Sequence, residues 1–178
     1  MVVLQRLFQP SASKMAGQRL YEAATRQARQ PAFYAELGAP DTIEGRFELY
    51  TLHVVLLLHR LRGEGGEAAR VAQSLFDAYL QALDDALREM GVGDLAVAKK
   101  MRRLGEAFYG RAKAYRTVLT DGDMAELDAL IRRTIYVGAV DAPGDRLVSY
   151  VQRCEAVLTA TPVDDVVAAK LNWPEIVR

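Results

Sequence analysis

The chain has 178 residues, 51% of them hydrophobic, which is enough for one domain with a sizeable core that needs neither metals nor disulfides. Lys plus Arg and Asp plus Glu number 23 each, so the overall balance gives no ground for DNA or an acidic membrane as a partner, and any such preference must come from local clustering. Cys154 is the single cysteine, which excludes an intramolecular disulfide and fits a reducing compartment.

The opening MVVLQRLFQP holds too short an apolar stretch for a secretory signal. No later run reaches the roughly 18 apolar residues of a membrane span. The longest, residues 49–58, contains Thr51 and His53. A soluble protein, or one attached to a membrane surface, is therefore expected, with residues 1–12 as an N-terminal segment and 13–178 as one helical domain.

Pro10 and Pro31 bracket a polar helix over about 13–30, and an aromatic turn with Phe33 and Tyr34 follows, closed by Gly38. Asp41 and Glu44 have the spacing of a capping box for a helix over about 41–62, stopped by Gly63, Gly65 and Gly66. A third long helix, about 67–90, carries Ala72, Leu75, Tyr79, Leu83, Leu87 and Met90 at helical spacing. The fourth runs over about 94–117. Asp123 and Glu126 repeat the capping logic for a fifth, striped by Met124, Leu127, Leu130, Ile131 and Ile135. A sixth, about 145–159, carries Leu147, Tyr150, Val151, Cys154, Val157 and Leu158, and a tail follows with Leu171, Trp173 and Ile176 as anchors. No stretch alternates over a strand length. The pattern predicts an all-α, single-domain helical bundle of about six main helices.

Site chemistry is sparse. His53 and His59, the only histidines, are six apart on a helix and cannot share a metal, and no Glu-x-x-His pair is present. Asp84-Asp85 lacks a third carboxylate at the spacing used by helical prenyl-transferring enzymes, and Asp164-Asp165 fails likewise. Cys154 sits on an apolar stripe with no histidine nearby in sequence, which predicts a buried, inert thiol. No phosphate loop or serine elbow occurs. No enzyme activity, cofactor or metal is expected.

Two helices carry surplus features. In 41–62, Ile43, Phe47, Tyr50, Val54, Leu57, Leu58 and Leu61 form one stripe, and Leu49, Leu52, Val55 and Leu56 form a second. Such a helix is either the centre of the bundle or leaves part of its second stripe open to an apolar partner. On the open reading, Phe47, Leu49, Leu52, His53, Val55, Leu56 and His59 are the client-binding residues. In 94–117, the basic residues Lys99, Lys100, Arg102, Arg103, Arg111, Lys113 and Arg116 face a single acid, Glu106. They are either paired with Asp77, Asp84, Asp85 and Glu89 of the preceding helix or form a surface toward RNA, anionic lipid or an acidic protein. Gly105 and Gly110 in this helix suggest close backbone approach or local flexibility.

The stretch Phe33-Tyr34, Gly38-Ala39-Pro40-Asp41-Thr42, Gly45-Arg46-Phe47-Glu48-Leu49, Leu52-His53 and Leu56-Leu57-Leu58-His59-Arg60-Leu61 resembles the signature region of the ubiquinol–cytochrome c chaperone family. Leu75-Phe76-Asp77, Asp84-Asp85, Leu87 to Asp94, Lys99-Lys100-Met101 and Phe108-Tyr109-Gly110-Arg111 are similar to its second block. The resemblance implies a chaperone that binds newly made cytochrome b during assembly of ubiquinol–cytochrome c reductase (complex III), with a small partner chaperone and the ribosome nearby. It implies no catalytic residues. The short N-terminus suggests a bacterial homologue acting in the cytoplasm, in peripheral contact with the inner membrane. The rival expectations are a helical enzyme acting on a lipid or isoprenoid, with Arg46, Tyr50 and His53 converging on a closed pocket, and a ribosome- or RNA-associated adaptor using only the basic helix.

Overall fold

In the computed structural model, which describes residues 11–139 and 142–176, the side chain of Ser11 accepts the Lys14 amide (3.2 Å) and starts α1 (Ala12–Ala28). Residues 1–10 of the expected N-terminal segment lie outside the described residues. The buried face of α1 is made of Ala16, Gly17, Leu20, Ala23, Ala24 and Ala28, so its backbone can come close to a neighbour. The neighbour is α4 (Gly66–Glu89), and a Cβ built on Gly17 would lie 2.5 Å from the Ser74 Cβ. A single turn, α2 (Ala32–Ala35), buries Phe33.

α3 (Ile43–Arg60) begins one residue later than the capping pattern suggests. Thr42, not Asp41, supplies the cap, accepting the Gly45 amide at 3.1 Å, while Asp41 pairs with Arg46 at 2.6 Å. Gly45 is required here, because a Cβ at that position would meet the Pro40 carbonyl oxygen at 2.1 Å. α3 packs on α1, α4 (Gly66–Glu89), α5 (Asp94–Asp121) and α7 (Gly144–Ala160), and so occupies the centre of the bundle. Its second stripe is covered. Leu49, Leu52, His53, Val55 and Leu56 are buried along with Val54 and Leu57, and the expectation of an open second stripe is corrected. The physical reason lies in the neighbours: small-faced α1 approaches closely on one side while α5 and α7 cover the others. Ile43, read as part of the first stripe, stands 71% exposed in the first turn.

Phe76 and Tyr79 of α4 meet Phe108 of α5 with ring centroids 5.0 and 4.9 Å apart, which locks these two helices together. Between Asp94 and Ala107, Val97 is the one buried residue of α5, so the start of this 28-residue helix is held along a narrow line. Gly122, with φ 68°, ends it in a left-handed cap. The Asp123 side chain accepts the Glu126 amide at 3.0 Å and starts α6 (Met124–Thr134), which packs on α5 and α7. After α7, a short α8 (Val163–Val167) leads into a tail without regular structure over residues 170–176. Leu171, Trp173 and Ile176 of that tail pack against the core as anchors. The six helices of 11 to 28 residues and the absence of strands among the described residues agree with the all-α bundle expected.

Candidate functional site

His53 sits at the centre of α3 with no exposed surface. Its Nδ1 lies 2.7 Å from the Leu49 carbonyl oxygen, and its Nε2 lies 2.8 Å from the Tyr150 hydroxyl. A carbonyl can only accept, so Nδ1 carries the proton, and Nε2 accepts from Tyr150. The Tyr150 oxygen in turn accepts from Gln27 Nε2 at 3.0 Å. One hydrogen-bonded line thus ties α1, α3 and α7 together with every step satisfied. Burial pushes the His53 imidazole down to about 4, only partly offset by the Leu49 carbonyl, so the ring is neutral. The Trp173 ring from the tail packs edge-on against it at 5.1 Å.

Glu48 is the one carboxylate of α3 buried in the bundle, and Arg111 of α5 answers it with a two-pronged ion pair, Nε to Oε2 at 2.6 Å and Nη2 to Oε1. Arg111 therefore turns inward, which corrects its place on the basic surface. Thr51 and the Tyr79 hydroxyl share a buried hydrogen bond at 3.0 Å. The Cys154 thiol is buried and burial pushes it up to about 12, consistent with an inert group.

The remaining basic residues do form a surface. Lys99, Lys100, Arg102, Arg103 and Lys113 are exposed. Arg102 pairs with Glu106 at 3.2 Å, and Lys99, Lys100, Arg103 and Lys113 form no ion pair among the described residues. Three of the four acids of α4 expected to pair with them bond within their own helix: Asp84 with Arg88, Asp85 with Gln81, Asp77 with Gln73. Among the described residues, no side chain of the preceding helix forms an ion pair with these five residues.

His59 and Phe47 are the two expected client residues that keep part of their surface. His59 borders a cleft of about 280 Å³ with Arg60, Glu64, Glu155, Leu158 and Thr159. Arg60 is committed there, donating to the Leu158 and Thr161 carbonyls at 2.7 and 2.9 Å and so capping the end of α7. The convergence that a lipid-acting enzyme would need is not found: His53 is enclosed in the core, while Arg46 pairs with Asp41 on the outside. Gly105 and Gly110 meet nothing within 4 Å of a built Cβ, so no close approach within the chain explains them.

Comparison with known proteins bears directly on what this bundle is. The family model described as ubiquinol-cytochrome C chaperone matches residues 35–173, from the end of α2 to Trp173. The chain belongs to this family. The crystal structure of the Cbp3 homologue from Brucella abortus superposes with a TM-score of 0.86 at 33% identity, over 99% of this chain and 98% of that one. Ubiquinol-cytochrome c reductase complex assembly factor 1 of Drosophila melanogaster is 26% identical over 92% of this chain and 66% of its own length. The Xenopus laevis protein of the same name is 23% identical, over 93% of this chain and 84% of its own. The human one is also 23% identical, over 93% of this chain and 56% of its own, so the chain spans little more than half of that relative.

Three features of the site escape the sequence reading. The burial of Glu48 and its pairing with Arg111 join positions 63 apart, a distance that helical periodicity cannot see. The packing of Trp173 on His53 is equally remote. The exposure of Leu95 had a local signal, because at about 100° per residue it falls on the same face as Lys99, Arg102 and Lys113.

Proposed function

We propose that the chain is an assembly factor for ubiquinol–cytochrome c reductase and that its client is newly made cytochrome b. The observation that carries this reading is the family match over residues 35–173, which takes in the central helix, the basic face and most of the tail. The likeness to a solved relative over 99% of this chain supports it. A chaperone role asks for surfaces rather than a reacting centre, and the buried polar groups here are spent on holding helices together.

On this reading the client meets the outside of the bundle, and Phe47 and His59 are the α3 residues available to it. The basic face of Lys99, Lys100, Arg102, Arg103 and Lys113 meets an anionic surface and keeps the chaperone where cytochrome b is made. In a bacterial cell that place is the cytoplasmic side of the inner membrane, and a small partner chaperone and the ribosome are the further partners. No helix among the described residues is long and apolar enough to cross a membrane, so attachment there would be peripheral.

Deletion of the gene, followed by measurement of assembled reductase and of cytochrome b, tests the reading. Both should fall, and return with the intact gene. Normal levels of both would overturn it. Crosslinkers placed at Phe47 should capture cytochrome b, whereas one at the buried Leu52 should not.

A further inference from the structure

Leu95, in the first turn of α5, is 94% exposed, an unusual position for a large aliphatic side chain that its own fold leaves uncovered. It is not alone. Met90, in the turn that leads into the same end of α5, is 57% exposed. Two turns beyond the basic cluster, Tyr109 rests one side on Phe76 (5.7 Å between centroids) and leaves 64% of its surface in solvent. At about 100° per residue, Leu95, Lys99, Arg102, Tyr109 and Lys113 lie within roughly 80° of one another around the helix. From Leu95 to Lys113 the stripe is about 27 Å long at 1.5 Å per residue.

The stripe therefore combines a net positive charge, with Arg102 offset by Glu106 on the same face, with aliphatic and aromatic groups on one exposed edge. An RNA groove would satisfy the charge, but it has no hydrocarbon for Leu95 and Met90. An anionic bilayer satisfies both. Its phosphates meet the cations, its interface favours tyrosine, and its outer acyl layer accepts aliphatic side chains. Resting on the reading of the basic face given above, we propose that this edge of α5, with Met90, docks the protein on an anionic phospholipid surface. Leu95 and Met90 enter the interface while Lys99, Arg102 and Lys113, with Arg103 on the flank, meet lipid phosphates.

The test uses the full chain and vesicles of phosphatidylcholine alone or with about one third phosphatidylglycerol, at roughly 100 mM salt. Structured RNA serves as a second probe. Flotation should recover the protein with the anionic vesicles only. Lys99→Glu with Arg103→Glu should abolish recovery. Leu95→Ser should weaken it about tenfold and leave RNA retention unchanged. All three positions are exposed, so circular dichroism should show intact helix in each variant. Binding to RNA but to neither vesicle type would overturn the lipid assignment and leave the anion-facing surface standing. Binding to neither probe would overturn that surface reading as well. Anionic-vesicle binding unaffected by Leu95→Ser would remove the insertion step and with it the proposal. The reductase assignment is decided separately by the gene deletion.

Discussion

His53 is neutral because the fold denies its charged form both water and an acidic partner: Nδ1 donates to a carbonyl and Nε2 accepts from Tyr150, so a second ring proton would have to turn the Tyr150 hydroxyl away and find no countercharge. Its imidazole is held at about 4, against an ordinary 6.5. A group that gives up its proton on folding stabilises the folded state above its ordinary value. That contribution drains away as pH falls, because the unfolded chain then binds the proton and the folded one does not. Between pH 6.5 and about 4 the loss amounts to roughly 3 kcal/mol. His53→Gln removes the titration and keeps an amide in the line. The stability gap between the native protein and this variant should therefore narrow steeply from pH 6.5 downward in denaturant unfolding. Parallel pH profiles would refute the neutral-histidine account. The residue scale also shows what local patterning misses. Helical spacing puts Arg111 beside the apolar stripe of α5 and Lys113 about 200° away in water, but that the inward-leaning guanidinium meets a carboxylate depends on Glu48 of α3, 63 positions away.

At the scale of elements, the glycines separate two kinds of helix contact. Gly17 lies where α1 crosses α4, and a Cβ there would press on Ser74 at 2.5 Å and on the Leu75 backbone nitrogen at 2.6 Å. Gly105 and Gly110 of α5 have open space around the same atom. Alanine should thus have opposite effects. Gly17→Ala should cost about 1–3 kcal/mol by forcing the two helices apart. Gly110→Ala should gain about 0.5–1 kcal/mol through the lower entropy cost of fixing alanine in a helix. Thermal unfolding of the two variants beside the native protein checks both signs, and a stabilising Gly17→Ala would sink the close-crossing account. The element count, the caps at Asp123 and near Thr42, and the central place of α3 were legible because each is a local pattern of spacing. Which glycine marks a helix crossing was not, since that depends on a partner helix some 60 residues away that no local pattern specifies. The same limit applies to the second stripe of α3, whose cover comes from other elements.

At the scale of the molecule, the tail is tied to the bundle by side chains rather than by secondary structure. Residues 170–176 make no regular backbone pairing, and Ala169 enters the segment with φ 59°, a left-handed conformation disfavoured for any residue with a Cβ. The Trp173 indole nitrogen is buried without a hydrogen-bond partner, which subtracts from what its ring gains against His53. Arg153 reaches the Glu175 carbonyl at 3.3 Å from α7. Such a strap should open at lower free energy than the bundle it lies on. Trp173 is the only tryptophan of the chain, so its fluorescence reports the strap alone while circular dichroism reports the helices. The fluorescence transition should come at a lower denaturant concentration than loss of helix. The separation should widen on acidification, because lifting Trp173 lets water reach His53, whose protonation then favours the open state. Coincident transitions at every pH would mean that strap and bundle unfold as one cooperative unit. A separation independent of pH would mean that the strap opens without uncovering His53.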